Sequence, residues 1–462
     1  MKLSIFTIFL VLIVSFSVFA SEIQVNTRTS LDQTNAAISI DPNGNFVVVW
    51  SSYYSNKSNE IRGRRFAADN SPIDANEFEI NSNQSGNQSE PSVVTDAIGN
   101  FIVAWQGPDV NEQNQDDIFA RWFDVNGMPL GDEFRINDNA ENKQHYPKLA
   151  INDSNMLAIV WESENAGPEP NTSIIYCKLY DSNGFHDVNE FQVNTQPDCY
   201  YPDVAIDPNG NTTVVWLEGK RPNFTVMARL FDPNGAAKTN PIAVSTWDIS
   251  SFTQPAIKMD PAGCFLITWD GDPNLSSMDD IHARIFEPNG TPLGEQFIVN
   301  TTLENAQQNP KVAMNDLGQF IIVWDSKIDP NVNERDIYAR RFYSDGKPIG
   351  NEFCLNTCLE GDQKYPAIAM GNHDRFVTVW QSYDPNGSRY DLYATSKAFM
   401  GSADISCDKI VNFTDYCFLA NEWVKNEKPV AADIISDNVI DLYDLSEFCY
   451  QWLFQNPVYI EE

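Results

Sequence analysis

Near the C-terminus, two twelve-residue segments place oxygen-bearing side chains where a divalent cation could take them. In the first, Asp404, Ser406, Asp408, Asn412 and Asp415 stand at positions 1, 3, 5, 9 and 12. In the second, Asp433, Asp437, Asp441 and Asp444 stand at positions 1, 5, 9 and 12. Ca2+ collects six to eight oxygens, and a loop of this length adds a backbone carbonyl at position 7, here that of Ile410 and Val439. Ile435 takes position 3 of the second loop, so the first is expected to bind Ca2+ more tightly. Carboxylates gathered without a metal repel, so binding would be coupled to folding.

The segments after these loops must hold them. Tyr416, Leu419, Ala420, Trp423 and Val424, and likewise Leu445, Phe448, Cys449, Trp452 and Leu453, recur with the i, i+3, i+4, i+7, i+8 rhythm of a one-faced helix. The duplicated loop and helix, the closing Asp415 and Asp444, and the paired Glu422-Trp423 and Gln451-Trp452 resemble the type I dockerin of secreted bacterial proteins. The resemblance implies a small α-helical, EF-hand-like domain over residues 404–462 and Ca2+ as its cofactor. It also implies a cohesin-like scaffold partner, contacted by Phe413, Thr414, Leu442 and Tyr443.

Before that tail the chain is built from seven copies of one pattern, anchored by Trp50, Trp105, Trp161, Trp216, Trp269, Trp324 and Trp380. Each copy reads as a short apolar strand, a turn such as Asp41-Pro42-Asn43-Gly44, a second strand ending in Trp, and a third of the form Asp336-Ile337-Tyr338-Ala339-Arg340. A fourth strand follows, as in Phe297-Ile298-Val299-Asn300-Thr301. Four strands at a period of about fifty residues are the signature of propeller blades. Only six fourth strands follow their third strands. The seventh, Ile23-Gln24-Val25-Asn26-Thr27, precedes the first Trp. The expectation is a mainly β fold, a seven-bladed β-propeller over residues 21–399 closed by an N-terminal strand, then a linker over 400–403. Closure of this kind leaves no free sheet edge.

Residues that recur in most or all blades read as structure. This covers the Trp set, thought to stack on the neighbouring cations, and the third-strand bases Arg64, Arg121, Lys178, Arg229, Arg284 and Arg340. It also covers Gln33, Gln88, Gln144, Gln307 and Gln363, expected to tie loop backbone. Residues that break the repeat are the ligand candidates. His145, Tyr146, Tyr200, Tyr201 and Trp247 fall in the lead-in loops of the face that carries the long connections, where aromatic rings could stack on sugars.

Residues 1–20 carry Met1-Lys2, an apolar run and small residues at a cleavage site, the pattern of a secretory signal. Export to the extracellular space or cell surface is expected. A net charge of −34 disfavours nucleic acid and anionic membrane as partners, and no later run is long enough to insert in a bilayer. The eight cysteines are scattered, so any disulfide would be local reinforcement.

Three functions fit these residues. The leading expectation is a secreted, non-catalytic propeller that binds a polysaccharide or protein and is displayed through its dockerin-like tail. The alternative is a propeller glycoside hydrolase or polysaccharide lyase acting in polysaccharide catabolism. A structural adhesion protein is the third. No Ser-His-Asp pattern or His-rich constellation marks an active site in the sequence, which is why the binding reading leads.

Overall fold

The computed structural model describes residues 22–398, except 55–56, 109–115, 140, 165–171, 182–187, 250–252, 273–278, 328–333, 358–360, 372–374 and 385–388. The expected leader, linker, Ca2+ loops and C-terminal helices lie outside the described residues.

Seven four-stranded antiparallel sheets form the ring. Blade 1 contains β2 (Gln33–Ile40), β3 (Phe46–Tyr54), β4 (Lys57–Phe66) and β5 (Phe78–Glu79), ordered from the centre outward. Blade 7 contains β26 (Gln363–Met370), β27 (Arg375–Asp384) and β28 (Arg389–Ala398), and its outer strand is β1 (Ile23–Gln24). The register Ile23↔Ala394 and Gln24↔Tyr393 is the expected N-terminal closure. No helix occurs among the described residues.

Each second strand is buried on both faces because blades pack against it from either side. Trp50, Trp105, Trp161, Trp216, Trp269, Trp324 and Trp380 are all buried. A buried indole N–H needs an acceptor, and the recurring Gln supplies it: Trp50 donates to Gln33 (2.7 Å), Trp105 to Gln88 (3.0 Å), Trp161 to Gln144 (3.0 Å), Trp324 to Gln307 (3.0 Å) and Trp380 to Gln363 (2.9 Å). The Gln amide also donates to loop carbonyls such as Leu31 and Asn142, the loop tie expected from sequence. Blade 4 lacks the Gln, and Trp216 turns to Glu218 at 3.1 Å.

The third-strand bases join blades. Arg64 donates to the Val25 carbonyl, Arg121 to Ile80, Lys178 to Ile136, Arg229 to Val193, Arg284 to Val244 and Arg340 to Val299, in each case the residue that follows the outer strand of the preceding blade. The ring beneath the guanidinium is Phe rather than Trp, which corrects the expected stacking: Arg64 lies 5.2 Å from the Phe66 centroid and Arg340 lies 5.5 Å from that of Phe342. The two residues share one face of the same strand, two positions apart, whereas the Trp belongs to the neighbouring strand. Third-strand acids find partners inside their own blade, where Asp117, Asp280, Asp336 and Asp391 accept from Asn137, Asn300, Asn356 and Asn26. Those same Asn residues accept from third-strand amides, as Asn26 does from Leu392 at 2.7 Å.

Tight turns gather on one side of the ring. In the first, Asp41 accepts from the amides of Asn43 (2.8 Å) and Asn45 (2.9 Å), and Gly44 takes φ 82°, a conformation that disfavours a side chain. The long connections and the starts of the innermost strands lie on the opposite side.

Candidate functional site at the channel mouth

The first strand of every blade lines a central channel of about 680 Å³, within the range of small-ligand sites. Near its start each first strand carries a bulge, except in blade 5, where the described residues of the strand pair without one. At the bulge Asn35, Glu90, Tyr146, Tyr201, Asn309 and Tyr365 take φ between 51° and 56°. This left-handed conformation is costly for Glu and Tyr, whereas Asn enters it more readily. Proline follows five of the six, which keeps the preceding residue out of the right-handed helical region.

A hydrogen bond from the neighbouring blade holds several of these bulges. Gln106, immediately after Trp105, accepts from the Tyr146 amide at 2.9 Å. Glu162 after Trp161 does so for Tyr201 at 3.3 Å, and Asp325 after Trp324 for Tyr365 at 3.3 Å. The bulge and its clamp therefore recur as structure, while the side chain displayed differs from blade to blade. That variable ring forms the mouth of the channel.

Two adjacent blades place phenols together there. The rings of Tyr146 and Tyr201 meet edge to face at 4.7 Å, and a hydrogen bond joins their hydroxyls. Burial pushes both phenols up, and Tyr201 and Glu90 add to the shift of Tyr146. Glu90 accepts from Asn35 at 2.5 Å, and burial raises its carboxyl against the pull of Lys148 and Lys311.

Lys148 and Lys311 occupy matching positions two residues past the bulge in blades 3 and 6, and both line the channel. Lys311 is half-buried in the channel wall. Burial, assisted by Lys148 and opposed by Asp203, Asp270 and Glu90, lowers its ammonium to about 8. The mouth therefore holds phenols that stay protonated and an amine close to its own titration, a set able to move protons near neutral pH. At the far end of the same strands, Ile40, Ile151, Ile206, Met259, Met314 and Met370 make the channel lining apolar.

The sequence-selected aromatics separate into two groups. Tyr146 and Tyr201 come together at the mouth, with His145 beside Tyr146 at 5.9 Å and its Nε2 3.4 Å from Glu164. Tyr200 and Trp247 pack instead against the core between blades 4 and 5. Trp247 meets His282 at 5.0 Å, and His282, stacked on Trp269, is lowered to about 4 by burial. The Ca2+ ligand set and the cohesin-contact residues, from Asp404 to Asp444, lie outside the described residues. Among the described residues no cluster of three or more His, Cys, Asp or Glu could hold a metal ion.

Sequence reading missed Glu90, Lys148, Lys311, Glu162 and Tyr365. The available signal was the recurring Gln-x-X-Pro, as in Gln88-Ser89-Glu90-Pro91 and Gln144-His145-Tyr146-Pro147, whose third residue varies while its frame does not.

Glu162 offers a test of this architecture. It is buried, and desolvation lifts its carboxyl from 4.5 to about 7 against hydrogen bonds from Ser173 and the Tyr201 amide. Between those values the unfolded chain releases a proton that the folded chain retains. This contribution to stability is therefore present at low pH and is lost as pH rises toward 7. Glu162→Gln keeps an acceptor for the Tyr201 amide, as Gln106 does for Tyr146, without the buried charge. The variant should be more stable than the parent at pH 8 by on the order of 2–3 kcal/mol, with the gain vanishing near pH 4.5. Thermal unfolding of both proteins across that range measures the difference.

No protein-family model matches the chain, and no curated protein matches it either. Among solved structures, an ulvan lyase, a polysaccharide lyase bound to -[GlcA(1-4)Rha3S]-, superposes with TM-score 0.53 at 10% identity, covering 82% of this chain and 96% of that one. A protein of unknown function from Dyadobacter fermentans gives TM-score 0.51 at 10% identity, covering 82% of this chain and 98% of that one. At such identity the likeness carries architecture alone, and with the strand order it establishes this chain as a seven-bladed β-propeller.

Proposed function

We propose that the propeller is a polysaccharide lyase acting at its channel mouth on a polymer that contains uronic acid. The observation that carries this reading is the phenol pair Tyr146–Tyr201, set on adjacent blades over a channel that also holds Lys148 and Lys311. The lyase of similar fold supports it. Glu162 and Asp325 are already committed to backbone amides, so a hydrolase would have to draw its pair of carboxylates from Glu90, Asp153 and Asp203 of the channel lining.

In this mechanism the Lys148 ammonium pairs with the uronate carboxylate and makes the neighbouring ring C–H more acidic. The neutral amine of Lys311 takes that proton. Electrons from the broken C–H bond form the ring double bond as the bond to the glycosidic oxygen breaks. Tyr201 gives its phenol proton to the departing oxygen, and the hydrogen bond from Tyr146 stabilises the phenolate left behind. The products are one new reducing end and one unsaturated end.

Incubating residues 21–462 with uronate-containing and neutral polysaccharides tests the reading. Unsaturated ends are expected. Reducing ends without unsaturation would mark a hydrolase, and retention without products would restore the binding-protein reading. The rate should rise with pH as Lys311 loses its proton near 8, and Lys311→Arg should abolish both the rise and most of the activity.

The tail completes the proposal. An exported enzyme would be held on a cohesin-like scaffold by Ca2+ in the loop from Asp404 to Asp415 and, more weakly, in that from Asp433 to Asp444. Capture by an immobilised type I cohesin should require Ca2+ and be lost in the double variant Asp404→Ala/Asp415→Ala, while polysaccharide cleavage persists. Capture that survived a chelator would refute this role.

A further inference from the structure

Away from the phenol pair, the mouth face carries a second group of aromatic side chains at the seam between blades 7 and 1. Tyr53 and Tyr383 occupy the same repeat position, three residues after Trp50 and Trp380. The equivalent residues in the other blades are Pro108, Glu164, Gly219, Asp272 and Lys327, so the aromatic pair belongs to this seam alone. Tyr390 faces Tyr383 across the hairpin at a ring distance of 5.2 Å. Tyr365, from the ring of bulges, stands on the first strand of the same blade as Tyr383 and Tyr390.

Tyr53 and Tyr365 are 47% and 52% exposed, far more than a ring placed to fill a core. Their surroundings are nonetheless fixed. Asp32 accepts from the amides of Tyr53 (3.0 Å, at its carbonyl) and Tyr390 (2.9 Å, at its carboxylate), which ties the two blades together. The Asp362 carbonyl accepts from the Tyr383 amide at 2.8 Å, and the Asp362 carboxylate holds Lys364 at 2.6 Å beside Tyr390. Preset aromatic faces next to a charged donor and acceptor suit a pyranose, whose C–H face packs on a ring while its hydroxyls take hydrogen bonds.

We propose that this seam is a second sugar-binding subsite, which grips a polysaccharide on blades 7 and 1 while another part of the same chain occupies the mouth. The subsite rests on the reading that a polysaccharide is the ligand, though not on elimination as the chemistry. A chain anchored at two points on one rigid face gains from effective concentration, so losing the seam should weaken polymer binding more than binding of a short fragment.

Native gels cast with soluble xylan, polygalacturonate, alginate or ulvan test this with the full chain. Retardation of the parent in at least one gel is expected, with the double variant Tyr53→Ala/Tyr383→Ala losing about five- to tenfold in affinity. The loss on a short oligosaccharide of the same polymer should be the smaller factor. Tyr383→Phe, which keeps the ring, should bind as the parent does, and unchanged thermal unfolding would show that the fold is intact. A double variant retarded like the parent, or one that loses equally on polymer and fragment, overturns the subsite. A parent that neither binds nor cleaves any of the four overturns the polysaccharide reading and the subsite with it.

Discussion

Replacing Tyr201 by phenylalanine is expected to lower kcat on the cleaved polysaccharide by about 10²–10⁴-fold, the usual worth of a positioned general acid, with little change in KM. The substitution removes one oxygen and leaves the clamp intact, because Glu162 accepts from the backbone amide of Tyr201 and not from its phenol. Tyr146→Phe should cost less. It removes only the hydrogen bond that steadies the Tyr201 phenolate, and the Gln106 clamp on the Tyr146 amide survives. Steady-state kinetics with thermal unfolding as a control measures both. A Tyr201→Phe enzyme of full activity would remove the phenol pair from the mechanism, and equal losses in the two variants would reverse or merge their roles.

Deleting Glu22–Thr27 should be the most damaging change to the fold. Val25 is fully buried in the core between blades 7 and 1, and losing it costs about 1.5–3 kcal/mol. Asn26 closes the outer edge of β28 by accepting from Leu392 and donating to Asp391 at 2.7 Å, and the buried groups it leaves behind cost about 1–3 kcal/mol each. Arg64 also loses one of its acceptors, the Val25 carbonyl at 2.9 Å, and keeps the Asp74 carbonyl at 3.1 Å. Together these approach the whole stability of an ordinary domain, about 5–15 kcal/mol. The bared edge of β28 would also invite strand pairing between molecules. Low-temperature unfolding with dimers or larger species on size exclusion is expected. A monomer with unchanged unfolding would mean that the ring holds without its closing strand.

Much of this was legible because a propeller writes its plan seven times. Periodic Trp, Asp-Pro-Asn-Gly turns and a displaced fourth strand at Ile23 report local periodicity and chain order, so the number of blades and the mode of closure follow from counting. Repetition also separated the Arg and Gln sets from any single site, and their contacts are structural. The partner of each Arg was less accessible, since Phe two residues along the strand and a carbonyl one blade away are both decided by how strands face one another.

The candidate site was legible only in fragments. Tyr146 and Tyr201 stood out as breaks in the repeat, yet Tyr200 and Trp247 stood out equally and turn into the core. Neighbouring residues on a strand face opposite ways, and at the bulge that alternation shifts by one, so sequence could not say which of Tyr200 and Tyr201 meets the channel. The sequence by itself determined the repeat, the ring and its closure, because those depend on patterns within single blades. Tertiary structure alone decided that Glu90, Tyr146, Lys148, Tyr201 and Lys311, from blades 2, 3, 4 and 6, meet around one channel. Ring closure brings together residues far apart in the chain, and the burial it imposes sets the protonation of Lys311 and the phenols.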